Sequence, residues 1–191
     1  KLLIVMPIAK SFVISHREAQ AMLEVVDSDA KEARVPVNLR LSKVTASVDY
    51  RNKRILLPPQ ISVSFADIEK VANDDTVCYL VGKNGIQKLQ LFSADTNRFY
   101  KLLPSADAPT IEISGIRMHR TAERTPWQDS LDKIKVISPL RGRVLDTCCG
   151  LGYTAVAAAR IDSVTQVFTF EKDKNVLIMA DYNPWSKELF K

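Results

Sequence analysis

Long hydrophobic runs are missing from this sequence. The longest apolar stretch near its start, Leu2 to Ala9, is too short to span a bilayer and contains Pro7, so no membrane association is expected. No small-residue cleavage pattern follows before Lys10, which argues against a signal peptide. Cysteine is scarce: three thiols without an export signal read as reduced, and a cytoplasmic protein is expected. Cys148 and Cys149 are adjacent and Cys78 stands alone, a spacing that does not suit a metal site. Glycine (6) and proline (9) punctuate without dominating, and no tract is repetitive, which excludes solenoid and low-complexity classes. The chain begins with Lys, so a preceding start is expected.

What is present is a basic, core-forming chain. At 191 residues and 46% hydrophobic content it can bury a substantial core in one or two domains. A net charge of +5 leaves room for an anionic partner such as RNA, although solvated lysines give the same number. The densest basic run, Ile116 to Arg124, holds Arg117, Arg120, Arg124 and His119, one of only two histidines.

The first part of the chain changes period repeatedly. Ser15 and Glu18 have capping-box spacing, which predicts a helix through Ala21, Leu23 and Val26. After Pro36, alternation at Val37, Leu39 and Leu41, then at Val44, Ala46 and Val48, predicts strands. Further strands are expected at Arg54–Leu57 and Ile61–Ser64 around Pro58-Pro59, and a short helix after Ser64. Strands over Val77–Val81 and Ile86–Phe92 flank an Asn-Gly hairpin signal, and Arg98–Leu103 pairs with Thr110–Ile113. Residues 1–113 therefore read as a small, mostly antiparallel α+β domain.

Residues 114–191 read differently. Thr125-Pro126 opens a helix that stops near Pro139, with Trp127 as a core anchor. Strand Arg143–Cys148, a glycine turn, helix Tyr153–Arg160, strand Val164–Glu171 and helix Asn175–Asn183 complete the pattern. This β-α-β-α order predicts a parallel sheet with right-handed crossovers, hence an α/β fold.

The turn between strand and helix carries the chemistry. Gly150-Leu151-Gly152-Tyr153-Thr154-Ala155 formally fits a dinucleotide fingerprint, and Glu171 lies about twenty residues onward, where a ribose-binding acid is expected. Asp146, four residues before Gly150, is out of place in a dinucleotide strand. A zwitterionic amino acid joined to a nucleoside needs instead an acceptor for its ammonium, close backbone donors and no pyrophosphate cradle. Asp146 and Glu171 would supply acceptors, Gly150 and Gly152 would allow close approach, and Cys148 would lie alongside.

The run Asp146-x-Cys148-x-Gly150-x-Gly152-x-x-Ala155 resembles motif I of the class I S-adenosylmethionine-dependent methyltransferases. More narrowly, the stretches from Ile113, from Arg141 and from Phe170 look like an archaeal group of predicted methyltransferases of unknown substrate. The resemblance implies a Rossmann-like sheet and S-adenosyl-L-methionine as cofactor. The cofactor would be bound by Asp146, Cys148, Gly150, Gly152, Tyr153, Thr154 and Glu171, with RNA or a small molecule as acceptor. In such enzymes the sheet runs on past strand two. The chain is therefore expected to hold only the first half of the cofactor domain, with the catalytic residues outside it and an open sheet edge through which two copies could pair. Three rivals stand beside this reading: an aminopropyl transferase of the spermidine-synthase type, a non-catalytic RNA-binding module and, last, a nicotinamide dehydrogenase. Arg117 and His119 are candidates for an anionic acceptor or for the cofactor carboxylate.

Overall fold

The computed structural model describes residues 11–190, so the apolar stretch Leu2 to Ala9 lies outside it. The chain divides into two units, residues 1–88 and 89–191. It is a mixed α/β protein whose sheets are mostly antiparallel. Among the described residues, no helix is long and apolar enough to cross a membrane.

The first unit begins with β1 (Phe12–Ile14) and α1 (His16–Asp27), joined by the capping box its sequence encodes. Glu18 Oε2 accepts from the Ser15 N–H at 2.7 Å and from the Ser15 hydroxyl at 2.6 Å. The helix then buries Ala19 and Met22. Strands β2 (Glu32–Val37), β3 (Ser42–Asp49), β4 (Arg54–Leu57) and β5 (Ile61–Ser64) form an antiparallel meander, and Ser64 caps α2 (Phe65–Ala72). Strands β6 (Tyr79–Gly82) and β7 (Gly85–Lys88) join β1 in a second antiparallel sheet. Ile14, Met22, Val35, Ile55, Ile68 and Tyr79 share one core.

Two sequence-based assignments are corrected by this unit. Leu39 and Leu41 belong to a turn, because Asn38, Leu39 and Arg40 all take positive φ (54°, 51° and 67°); alternation reported the burial of Leu39 but not the backbone. Pro36 lies inside β2 rather than before it, and the strand tolerates it as the sheet edge.

The second unit opens with β8 (Gln90–Ser93), β9 (Arg98–Leu103), β10 (Thr110–Ile113) and β11 (Ile116–Arg117), an antiparallel sheet in the order β11-β10-β9-β8. The expected strand Ile86–Phe92 is thus two strands: one half pairs with β6, the other with β9. The boundary falls between Lys88 and Leu89 and not at 113, because the β9–β10 hairpin is hydrogen-bonded to the C-terminal residues of the chain. The Tyr153 hydroxyl donates to Pro109 C=O at 2.7 Å and Tyr100 donates to Asp173 at 2.5 Å.

Helix α3 (Pro126–Ile137) has Thr125 and Gln128 as its capping box and Pro126 in its first turn. Strand β12 (Gly142–Asp146), α4 (Tyr153–Ala159), β13 (Val164–Thr169), α5 (Lys174–Tyr182) and a 3₁₀ segment (Pro184–Phe190) complete the unit. Strands β12 and β13 pair in parallel, as the β-α-β order predicts, but among the described residues they are the whole of the parallel sheet. One face carries Val144 and Val167 against Ile134, Ala157 and Ala158. On the other, Leu145 is 63% exposed and Phe170 60% exposed, whereas parallel sheets ordinarily cover both faces.

Replacing Ser15 by Ala removes a cap and leaves the buried Glu18 carboxylate with fewer donors. A loss of about 1–2 kcal/mol is expected, read as a lower urea midpoint with an unchanged slope.

Candidate functional site

A cavity of about 830 Å³ opens at the C-terminal ends of β12 and β13. That is the position where α/β units place ligands, and the size suits one drug-sized molecule. Its wall includes Cys148, Cys149, Gly150, Tyr153, Thr154 and Glu171, so five of the seven expected cofactor residues meet here: Cys148, Gly150, Tyr153, Thr154 and Glu171.

Glu171 organises the turn. Its Oε2 accepts the Gly150 N–H at 2.8 Å and its Oε1 accepts the Asp173 N–H at 2.9 Å. The carboxylate therefore links the loop after β13 to the glycine turn after β12, while retaining lone pairs for further donors. Gly150 has φ +56°, and a Cβ built there would meet nothing within 4 Å, so the turn leaves open space beside it.

Asp146 and Gly152 are held differently from the other five. Neither lines the cavity. Asp146 Oδ2 accepts the Thr169 hydroxyl at 2.7 Å, and its carbonyl accepts the Phe170 N–H at 3.1 Å, so the residue ties the two strand ends together. At Gly152 (φ +77°) an added Cβ would collide with the Leu189 side chain, so its missing Cβ serves packing rather than ligand approach.

The turn is also held from behind. Ser186 donates to Leu151 C=O at 2.6 Å, and the buried Asn183 amide donates to both Ser186 Oγ and the Tyr153 hydroxyl at 2.7 Å. Tyr153 thus offers the cavity its ring alone, since its hydroxyl is spent on Pro109 and Asn183. Trp127 is a core residue, packed 6.2 Å from Tyr153 and 5.8 Å from Trp185 (ring centroids), with Arg160 over its face. Cys148 is exposed and Cys149 buried; burial pushes the Cys149 thiol upward, away from thiolate chemistry.

Further lining comes from Arg98, Ile111 and Ile113, which the sequence had assigned to another domain, and from Met118 and His119, which precede α3. Asp173, which the sequence also left aside, caps α5 and accepts from Tyr100, Asn175 N–H and the Asn175 amide. Burial alone would raise its carboxyl, but these hydrogen bonds prevail and hold it below the usual range. An acid followed by a helix start was the signal that could have found it. His119 is held near 4, below the usual 6.5, by burial and then by the charge of Lys133.

The basic run is largely neutralised within the unit. Arg120 pairs with Glu123 at 2.6 Å, Arg124 with Asp132 at 3.3 Å and Arg117 with Glu112 at 3.9 Å. Arg117 does not line the cavity.

No protein-family model matches the chain. The chain is similar to an uncharacterized protein of the archaeon Methanocaldococcus jannaschii, with 42% identity over 173 residues, 88% of this chain and 57% of that protein. It thus spans a little over half the length of this relative.

Glycine replacements separate the two roles. Gly152→Ala meets both Leu189 and a positive φ, and a loss of 2 kcal/mol or more, on the order of an overpacked core, is expected in thermal melts. Gly150→Ala meets only the positive φ and is expected to cost about 1 kcal/mol. For His119, the folded state binds a proton more weakly than the unfolded chain. Its contribution is complete above about pH 6.5 and is lost as pH falls toward 4, on the order of 3 kcal/mol at most. Urea midpoints at pH 7 and 4.5 should therefore diverge less in His119→Gln than in the parent.

Proposed function

We propose that this chain is the cofactor-binding part of an S-adenosyl-L-methionine-dependent methyltransferase, its parallel strand pair being the first half of a Rossmann-like sheet. The observation that carries the reading is the Glu171 carboxylate bonded to the Gly150 N–H on the wall of the strand-end cavity. A diphosphate in that position would face a carboxylate already occupying the donor it needs. A nucleoside with ribose hydroxyls would donate to the lone pairs Glu171 keeps free.

The residues present fit the cofactor in part. The space beside Gly150 admits close backbone approach, and the Tyr153 ring, Ile111, Ile113 and Val176 give the cavity an apolar surface. Asp146 would act through the turn rather than on the ligand. When bound, the sulfonium supplies a methyl group already activated for displacement. The chain's own task would be alignment and exclusion of water, for which no general base is required. RNA or a small molecule would be the acceptor. The remaining strands, the residues nearest the methyl group and the cover for Leu145 and Phe170 would come from further polypeptide of the kind the longer relative carries, or from a second copy at the open edge.

Isothermal titration with S-adenosylmethionine, its decarboxylated form and NADH tests the reading. S-adenosylmethionine is expected to bind in the micromolar range, with Glu171→Ala weakening it at least tenfold. Binding of NADH alone would refute the proposal, and binding of the decarboxylated form alone would favour the aminopropyl transferase. RNA affinity that falls steeply with salt and ignores cofactor would favour the RNA-binding module.

A further inference from the structure

One polar atom of the cavity wall is unaccounted for by the glycine turn. His119 Nδ1 lies 2.9 Å from the Thr110 hydroxyl, and the His119 N–H donates to the same oxygen at 3.3 Å. The ring packs against that of Tyr153, 5.2 Å between centroids and tilted by 38°. Thr110 is 1% exposed and Tyr153 is fixed through its hydroxyl, so the imidazole is held from both sides. Its other nitrogen, Nε2, has no hydrogen-bond partner among the described residues and is not a sealed-off buried atom, and His119 lines the cavity. Lys133, one turn beyond Asp129 on α3, lines the same cavity, with its ammonium 2.7 Å from Asp129.

We propose that His119 Nε2 and the Lys133 ammonium form a subsite for an oxyanion, a carboxylate or a phosphate group carried by the ligand of this cavity. The charged groups acting on the ring are Lys133 and Asp129, both on α3; Thr110 from β10 and Tyr153 from α4, which also pack against it, are uncharged. An anion seated there cancels the Lys133 charge and gives the ring an acceptor, so binding draws a proton from solvent. In the resulting imidazolium, Nε2–H donates to the anion and Nδ1–H to Thr110 Oγ1. The Thr110 proton then turns to Ile111 C=O, 3.4 Å away.

The chain's two histidines make the test direct. Imidazole proton resonances are followed through a pH titration of the whole chain, alone and with saturating inorganic phosphate, S-adenosylmethionine or its decarboxylated form. The subsite predicts that the His119 midpoint rises by at least one unit, about tenfold tighter binding to the protonated form, while His16 stays where it was. Lys133→Met, at an exposed position, should abolish most of the rise. A rise with S-adenosylmethionine but not its decarboxylated form assigns the anion to the cofactor carboxylate; a rise with phosphate alone assigns it to the acceptor. Either supports the subsite, and the second does so even if the chain binds no S-adenosylmethionine. A His119 midpoint unmoved by all three, or an equal rise in Lys133→Met, overturns it.

Discussion

A single charged hydrogen bond, from the Gly150 N–H to the Glu171 carboxylate, closes the ends of two parallel strands over a cavity. A left-handed turn such as Gly150-Leu151-Gly152 leaves backbone donors without strand or helix partners, and buried donors must find acceptors. Here a side chain from the neighbouring strand's end answers that need, which also brings negative charge to the spot. The remaining contacts depend on that placement. Asp146 joins the strands through Thr169, Ser186 and Asn183 secure the far side, and Leu189 fills the space that Gly152 leaves.

The consequence for ligand choice is electrostatic. The cavity lining carries charges of both signs: Glu171 and Asp173 with Asp95, and Arg98, Lys133, Lys172 and Lys174. A lining of mixed sign is compatible with the zwitterionic ligand proposed above. The basic run Ile116–Arg124 contributes less than its composition suggests, because its arginines are paired with Glu112, Glu123 and Asp132. Exposed pairs of this kind add little stability, yet they lower the local field available to a polyanion.

Local chemistry was legible in the sequence wherever one short-range rule decided the outcome. Ser15 with Glu18 and Thr125 with Pro126 announced their helices, and the β-α-β alternation announced the parallel pair. Legibility failed where partners were distant. Alternation over Ile86–Phe92 could not say that β7 would pair with β6 and β8 with β9, so the unit boundary was placed too late. The glycine motif located the turn but not the division of labour within it. Spacing could not tell that Asp146 would be taken by Thr169, or that Gly152 was reserved for Leu189, because both partners lie more than twenty residues away. The lining residues Arg98 and Ile111 were hidden for the same reason.

Amide hydrogen exchange at Gly150 tests the central bond most directly. If the Glu171 carboxylate holds the turn, the Gly150 N–H is protected in the parent protein and becomes fast-exchanging in Glu171→Ala, while the Gly152 N–H, bonded to Cys149 C=O at 2.7 Å, keeps its protection. A Gly150 amide that exchanges freely in the parent, or stays equally protected without Glu171, would contradict the account.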